Sequence, residues 1–179
     1  MNKKTIEKLA TVFDEDLLVD ASHNKNIILQ HAYENMEIGL HQESAKLFYL
    51  YLSENDPSPE PLNGLAVCMY EMELYDKSMD IINYTLDLFP DDPVSISNKG
   101  SLCWQLGDYE QAIYYYTSSI TIDPGLIDSR INLINLYREN GDILIAHSQS
   151  LKLQSDYPEN EEVTDLSNDI LLDIALMFY

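Results

Sequence analysis

The chain has 179 residues, enough for one domain with a continuous core, and 45% of them are hydrophobic, the content of a folded chain rather than a disordered one. Acids outnumber bases 31 to 10, for a formal net charge of -21. Such a chain repels phosphate backbones and anionic lipid, which excludes nucleic acid and membrane surfaces as partners. The charge serves either plain solubility or the selection of basic partners.

The first residues, Met1 to Ile6, open like the charged lead of a signal peptide. Glu7 and Lys8 then break the apolar run, and Asp14, Glu15 and Asp16 follow. A secretory leader needs an unbroken apolar stretch of roughly 7 to 15 residues. No stretch reaches the roughly 18 apolar residues of a membrane span. Cytoplasmic residence without membrane insertion is therefore expected. Cys68 and Cys103 are too few for a disulfide scaffold and form no CxxC pair. Residues 1–24 are a lead segment outside the repeats, with a short helix expected near 5–13.

From residue 25 onward the chain keeps a period. Pro90, Pro124 and Pro158 stand 34 residues apart, as do Tyr75 and Tyr109, and Gly107 and Gly141; Gly39 lies two periods before Gly107. Four blocks follow, 25–58, 59–92, 93–126 and 127–160. In the third, Gly100 at the eighth position and Ala112 at the twentieth are small residues expected to face each other where two helices cross. Gly107-Asp108-Tyr109 makes the turn, Tyr116 is a packing aromatic, and Pro124 closes the unit. Proline fixes its own φ and biases the preceding residue away from helix, so it ends the second helix. The fourth block keeps Leu133, Tyr137, Gly141, Ala146 and Pro158. The second keeps Leu65, Ala66, Tyr75 and Pro90, with Ser78 in place of the small Ala. The first is the least regular, with Ala32, Gly39 and Phe48, Ser44 at the small position and Asp56-Pro57 out of register.

Within each block apolar residues recur at three and four, as in Leu62, Leu65, Ala66 and Met69, and no strand-like alternation competes. One such unit cannot bury its own apolar face, so neighbours must stack. The last segment, 161–179, reads as a capping helix with Val163, Leu166, Ile170, Ile174 and Met177 on its apolar face. From 153 to 179 it carries seven acids and no base. Its apolar end, Ala175 to Tyr179, is expected to pack on the domain, with an interface as the alternative.

No set of catalytic or metal-binding groups is recognisable. His23, His31, His41 and His147 form no HExxH pair and stand beside no Cys at metal spacing. There is no Gly-rich phosphate loop and no GxSxG elbow. No enzyme activity, cofactor or metal is expected. Cys103, at the eleventh position of its block, faces the helix packing and reads as an inert core thiol, while Cys68 falls at the tenth. Asn83-Tyr84-Thr85 matches a glycosylation sequon but lacks a secretory context; in Tyr114-Tyr115-Tyr116, Tyr116 is a packing position and its neighbours belong to the outer surface or the next repeat, with no site read into them.

A 34-residue helix-turn-helix period resembles the tetratricopeptide repeat family. The resemblance implies an all-α, right-handed superhelix of antiparallel helix pairs with a C-terminal capping helix. It also implies a concave groove lined by positions two, five, nine and twelve of each first helix, which share one helix face. Those positions are Asn26, Leu29, Tyr33 and Met36; Glu60, Asn63, Val67 and Tyr70; Val94, Ser97, Ser101 and Trp104; and Asp128, Ile131, Asn135 and Arg138. In the co-chaperone branch of the family, Lys and Asn of the first repeat clamp a carboxylate. Here those positions hold Leu29 and Tyr33, and Arg138 is the sole base in the lining, which argues against a clamp. Tyr33, Met36, Val67, Tyr70 and Trp104 offer apolar and aromatic anchors instead. Trp104 is open to either a groove or a core reading.

Size, acidity, a lead segment and an apolar groove together resemble the tetratricopeptide chaperones of bacterial type III secretion, although a fourth helix pair departs from that subfamily's three. The implied function is protein binding: a chaperone that holds an apolar segment of a protein or peptide partner. A scaffold joining folded proteins is the alternative, and an apolar lead or tail helix leaves a homodimer open.

Overall fold

The computed structural model describes residues 25–177. The helix expected at 5–13, and Phe178 and Tyr179, lie outside the described residues. Among those described there are nine α-helices and no strand. Helices α1 (Lys25–Glu37) and α2 (His41–Glu54) form one antiparallel pair, and α3 (Pro59–Glu71) and α4 (Tyr75–Leu88) the next. Then come α5 (Pro93–Gln105) with α6 (Tyr109–Ile122), and α7 (Ile127–Glu139) with α8 (Ile143–Asp156), followed by the single helix α9 (Glu161–Leu176). First helices start at 25, 59, 93 and 127, and α9 starts at 161, where a fifth first helix would. The residues up to Asn98 form one compact unit and those from Lys99 a second, so α5 contributes to both.

The starts are chemically marked. Proline opens α3, where an unbonded N–H is normal in any case. Asp92 accepts from the Ser95 amide at 2.8 Å, Asp108 from the Gln111 amide at 3.2 Å, and Asn160 from the Val163 amide at 3.0 Å. The stops inside each pair are alike. Residues 39, 73, 107 and 141 all have positive φ and close the same double bond. In the second pair, Leu74 N–H donates to the Met69 carbonyl and Glu73 N–H to the Tyr70 carbonyl, both at 2.8 Å. Glycine fills three of these left-handed positions. Glu73, at φ 59°, fills the fourth and bears the strain of a Cβ there.

In the first unit the crossings are tight and partly polar. Ser44 Oγ donates to the Ala32 carbonyl at 2.7 Å, and Ser78 Oγ donates to the Ala66 carbonyl at 2.9 Å. The two serines and the two alanines each stand 34 residues apart, so this is one bond made twice. A hydroxyl replaces the usual methyl at little cost in volume and finds its acceptor on the facing helix. Cys68 Sγ donates to Ser44 Oγ at 3.2 Å. Phe48 is fully buried, and a Cβ placed on Gly64 would lie 2.4 Å from its ring.

In the second unit the residue facing Gly100 is Tyr116, whose ring a Cβ would meet at 3.0 Å. The atoms nearest to Gly100 are thus those of the Tyr116 ring rather than of Ala112. Helical side chains lean toward the N-terminus, so the Tyr116 ring covers the spot one turn before its own Cα. Ala112 packs nearby with Cys103, Tyr116 and Leu136. Helix α9 docks Val163, Leu166 and Ile170 on Ile131, Ile134, Ile143, Ala146 and Leu153. Ile174 is half-buried, but Leu176 and Met177 are 65% and 68% exposed. The expected packing of that end on the domain is therefore corrected for these two residues. Leu176 falls at the register position of the turn residues Leu40, Leu74, Asp108 and Asp142, and Met177 at that of the first residue of each second helix.

Two substitutions test this account. Replacing Glu73 with Gly should raise stability by about 1 kcal/mol by relieving the left-handed strain; a urea midpoint that stays or falls would contradict it. Gly64→Ala should lower stability by about 1–2 kcal/mol, because the contact with Phe48 outweighs the roughly 0.5–1 kcal/mol of helix propensity gained. In a Phe48→Leu background the same change should be neutral or stabilising, and a denaturation double-mutant cycle measures the coupling.

Candidate functional site

The face marked out by the repeat register divides into spent and open residues. On α1, Leu29, Tyr33 and Met36 are partly exposed and Asn26 is exposed. Tyr33 rests edge-on against Phe48, with ring centroids 5.0 Å apart, and its hydroxyl donates to the Glu60 carbonyl at 3.3 Å. Burial, and after it the Glu60 carboxylate, push that hydroxyl's pKa well above the usual phenol value. On α3, Val67 and Tyr70 are partly exposed, and Glu60 is exposed. The Tyr70 ring lies 5.6 Å from that of Tyr75, and burial raises its hydroxyl pKa too. The five apolar or aromatic positions of α1 and α3 thus stay accessible.

Asn63 sits on the same face but is buried and committed. Its Nδ2 donates to Asp92 Oδ2 at 2.9 Å, and its Oδ1 accepts from Ser95 Oγ at 2.7 Å and Asn98 Nδ2 at 3.3 Å. Ser95 Oγ also lies 2.6 Å from Asp92 Oδ2. One amide therefore joins α3 to the capped start of α5. Ser97 is buried and Val94 exposed.

In the second unit, Ser101 Oγ accepts from the Tyr116 hydroxyl at 2.9 Å. Trp104 is half-buried, edge-on to Tyr116 at 6.4 Å, and its Nε1 donates to Glu139 Oε2 at 3.0 Å. Groove and core readings of Trp104 each describe part of it. Arg138 Nε pairs with Asp173, and that bond, above all other influences, raises the Arg138 pKa further. These two bonds repeat one pattern: the twelfth position donates to a carboxylate at the thirteenth position of the next first helix. Ile131 belongs to the core, Asn135 is partly exposed and Asp128 is exposed.

Asp92, Glu139 and Asp173 were not singled out from the sequence. The available signal was the spacing, since Glu139 and Asp173 each lie 35 residues beyond their donor. Cys68 and Cys103 are buried, and burial is the main cause that raises both thiol pKa values. Among the described residues no group of three or more His, Cys, Asp or Glu is placed to hold a metal ion, and no helix is long and apolar enough to cross a membrane.

The commitment of Asn63 is testable. Asn63→Leu should cost about 1–3 kcal/mol of stability, since it strips buried partners from Asp92 and Ser95. Urea unfolding measures it, and a loss below about 0.5 kcal/mol would mean that the network carries no weight.

No family model matches the sequence, and no curated protein matches it. Solved structures do match in fold. The tetratricopeptide protein TTC0263 of Thermus thermophilus superposes with a TM-score of 0.73 at 15% identity, covering 84% of this chain and 83% of that one. A tetratricopeptide repeat protein from Parabacteroides merdae gives 0.67 at 16% identity over 96% of this chain and 65% of its own. The first such domain of Spaghetti (RPAP3), bound to the HSP90 peptide SRMEEVD, gives 0.56 at 17% identity over 64% and 90%. At these identities the likeness concerns the fold alone: nine helices in the described residues, arranged as antiparallel pairs plus a docked last helix, adopt the tetratricopeptide repeat fold.

Proposed function

We propose that this chain is a protein-binding module that holds an apolar segment of a partner on its first-helix faces. The observation that carries the reading is the accessible set Leu29, Tyr33, Met36, Val67 and Tyr70 on α1 and α3. Each stands at a lining position of the repeat register and keeps part of its surface exposed. The polar members of the lining mostly bond within the fold, which leaves apolar and aromatic surface as the means of recognition.

The chemistry of the face argues for the kind of partner. RPAP3 was solved with an acidic peptide. An acidic segment suits this chain poorly, because its net charge is -21 and Arg138, the base of the lining, is already paired with Asp173. An apolar segment with neutral or basic flanks fits better. A segment of that kind is insoluble when unprotected, so the biological reading is a cytoplasmic chaperone, for instance of a type III secretion substrate.

The test has two parts. Co-expression should convert a partner that is insoluble alone into a soluble complex; a partner equally soluble without the chain would favour the scaffold reading. In the complex, Tyr70→Ala should weaken binding roughly thirty-fold, the equivalent of about 2 kcal/mol, with helical circular dichroism unchanged. Binding should persist at about 0.5 M salt, where charge contacts are screened. Normal binding by Tyr70→Ala, or abolition by moderate salt, would place recognition on the acidic outer surface instead.

A further inference from the structure

A second site lies in the C-terminal unit, apart from the first-helix lining. A hollow of about 410 Å³ opens between α6, α7 and α8. Helix α7 contributes Arg130, Leu133 and Ile134 to it, α8 contributes Gln149, Lys152 and Asp156, and α6 contributes Ile120. No residue of the first-helix lining borders it. Its size falls in the range of small-molecule sites, roughly 300–1,000 Å³. The repeat supplies an internal comparison. The position of Arg130 holds Ile28, Leu62 and Ile96 in the other pairs, all of them buried. The position of Gln149 holds Leu47, Ile81 and Tyr115, and that of Lys152 holds Leu50, Tyr84 and Ser118. In the fourth pair alone a charge stands in a packing column.

A charge at such a position must be compensated. The Arg130 side chain is 14% exposed, and its Nη2 donates to Asp156 Oδ2 at 2.7 Å. Its guanidinium carbon lies 5.8 Å from the centroid of the Tyr157 ring. An acid and a ring thus hold the guanidinium in place. For stability alone, an apolar pair would serve at least as well as a sequestered ion pair. The second pair has that solution, with Leu62 and Leu88 at the same two positions. What the ion pair adds is a charge beside an open space. A guanidinium carries five N–H donors, and the bond to Asp156 uses one amino group, Nη2.

Lys152 stands one turn before Asp156 on α8, is exposed, and makes no ion pair among the described residues. The lining therefore sets two bases against one acid, in a chain whose net charge is -21. The local sign reverses that of the whole. One surplus positive charge suits a monoanion, and a phosphate, with close to two negative charges, would stay unbalanced. A planar carboxylate matches the guanidinium fork. Ile120, Leu133 and Ile134 border the same space, so the occupant carries an apolar body as well. We infer that this hollow binds a small carboxylic acid with an apolar body, its carboxylate held by Arg130 and Lys152 and its body against Ile120 and Leu133.

The experiment uses the full chain, with octanoate and phenylacetate as probes and octanamide and phenylacetamide as neutral controls. NMR titration of the backbone amides reads both affinity and place. Each acid should bind with a Kd of about 1 mM or tighter, and the shifts should centre on α7 and α8 around Arg130 and Lys152. Each amide should bind about tenfold or more weakly, because it lacks the charge-assisted bonds. Lys152→Gln, at an exposed position, should weaken acid binding about fivefold or more with the melting curve unchanged. Arg130→Leu combined with Asp156→Leu copies Leu62 and Leu88 of the second pair. It should abolish acid binding while the melting temperature holds or rises. Lys152→Gln keeps the test valid if that double variant folds poorly. Acids that bind no better than their amides, or that bind both variants as they bind the parent, overturn the proposal. Inorganic phosphate binding more tightly than either acid overturns it as well, as do shifts centred on α1 and α3, which would mean that the probes only fill the apolar face.

Discussion

Close crossing of paired helices is the constraint on which the rest of this structure depends. At each crossing one side must be nearly flat. Ala32 and Ala66 accept the hydroxyls of Ser44 and Ser78, and Gly100 accepts the ring of Tyr116; between successive pairs, Gly64 of α3 likewise accepts the ring of Phe48 of α2. The turn between the helices then has little freedom, and four identical left-handed closures supply it, one of them on a glutamate. With the crossing and turn fixed, the lining positions of the first helices recur in register, and on α1 and α3 they hold partly exposed apolar and aromatic side chains, two of which, Tyr33 and Tyr70, also touch the mate helix.

Electrostatics divides the labour on that face. The polar side chains are used to knit successive first helices: Asn63 to Asp92, Ser95 and Asn98, Trp104 to Glu139, and Arg138 to Asp173. An amide or guanidinium engaged in this way cannot also serve a partner without losing its bond. What stays available is apolar and aromatic. The acid excess, meanwhile, lies on helix sides such as that of α9.

The all-helical fold was legible because Pro90, Pro124 and Pro158 mark helix ends by a covalent restriction that no packing can override. The glycine turn was legible from Gly39, Gly107 and Gly141, but Glu73 was not, since a glutamate does not announce a positive φ. Ser78 looked like a departure from the repeat; its hydroxyl bond to Ala66 depends on a helix 12 residues away, and propensity carries no trace of it. The candidate face was legible as a register of positions. Which members were spent was not, because Asn63 and Trp104 are committed by partners 29 and 35 residues away.

The central claim is that a partner's apolar segment is held on the first-helix face. Hydrogen–deuterium exchange of the chain, alone and with such a segment bound, tests it most directly, because it reports protection helix by helix. The account predicts new protection in α1 and α3, with α2 and α4 unaffected. Protection confined to α2 and α4, with α1 and α3 exchanging as in the free chain, would contradict it.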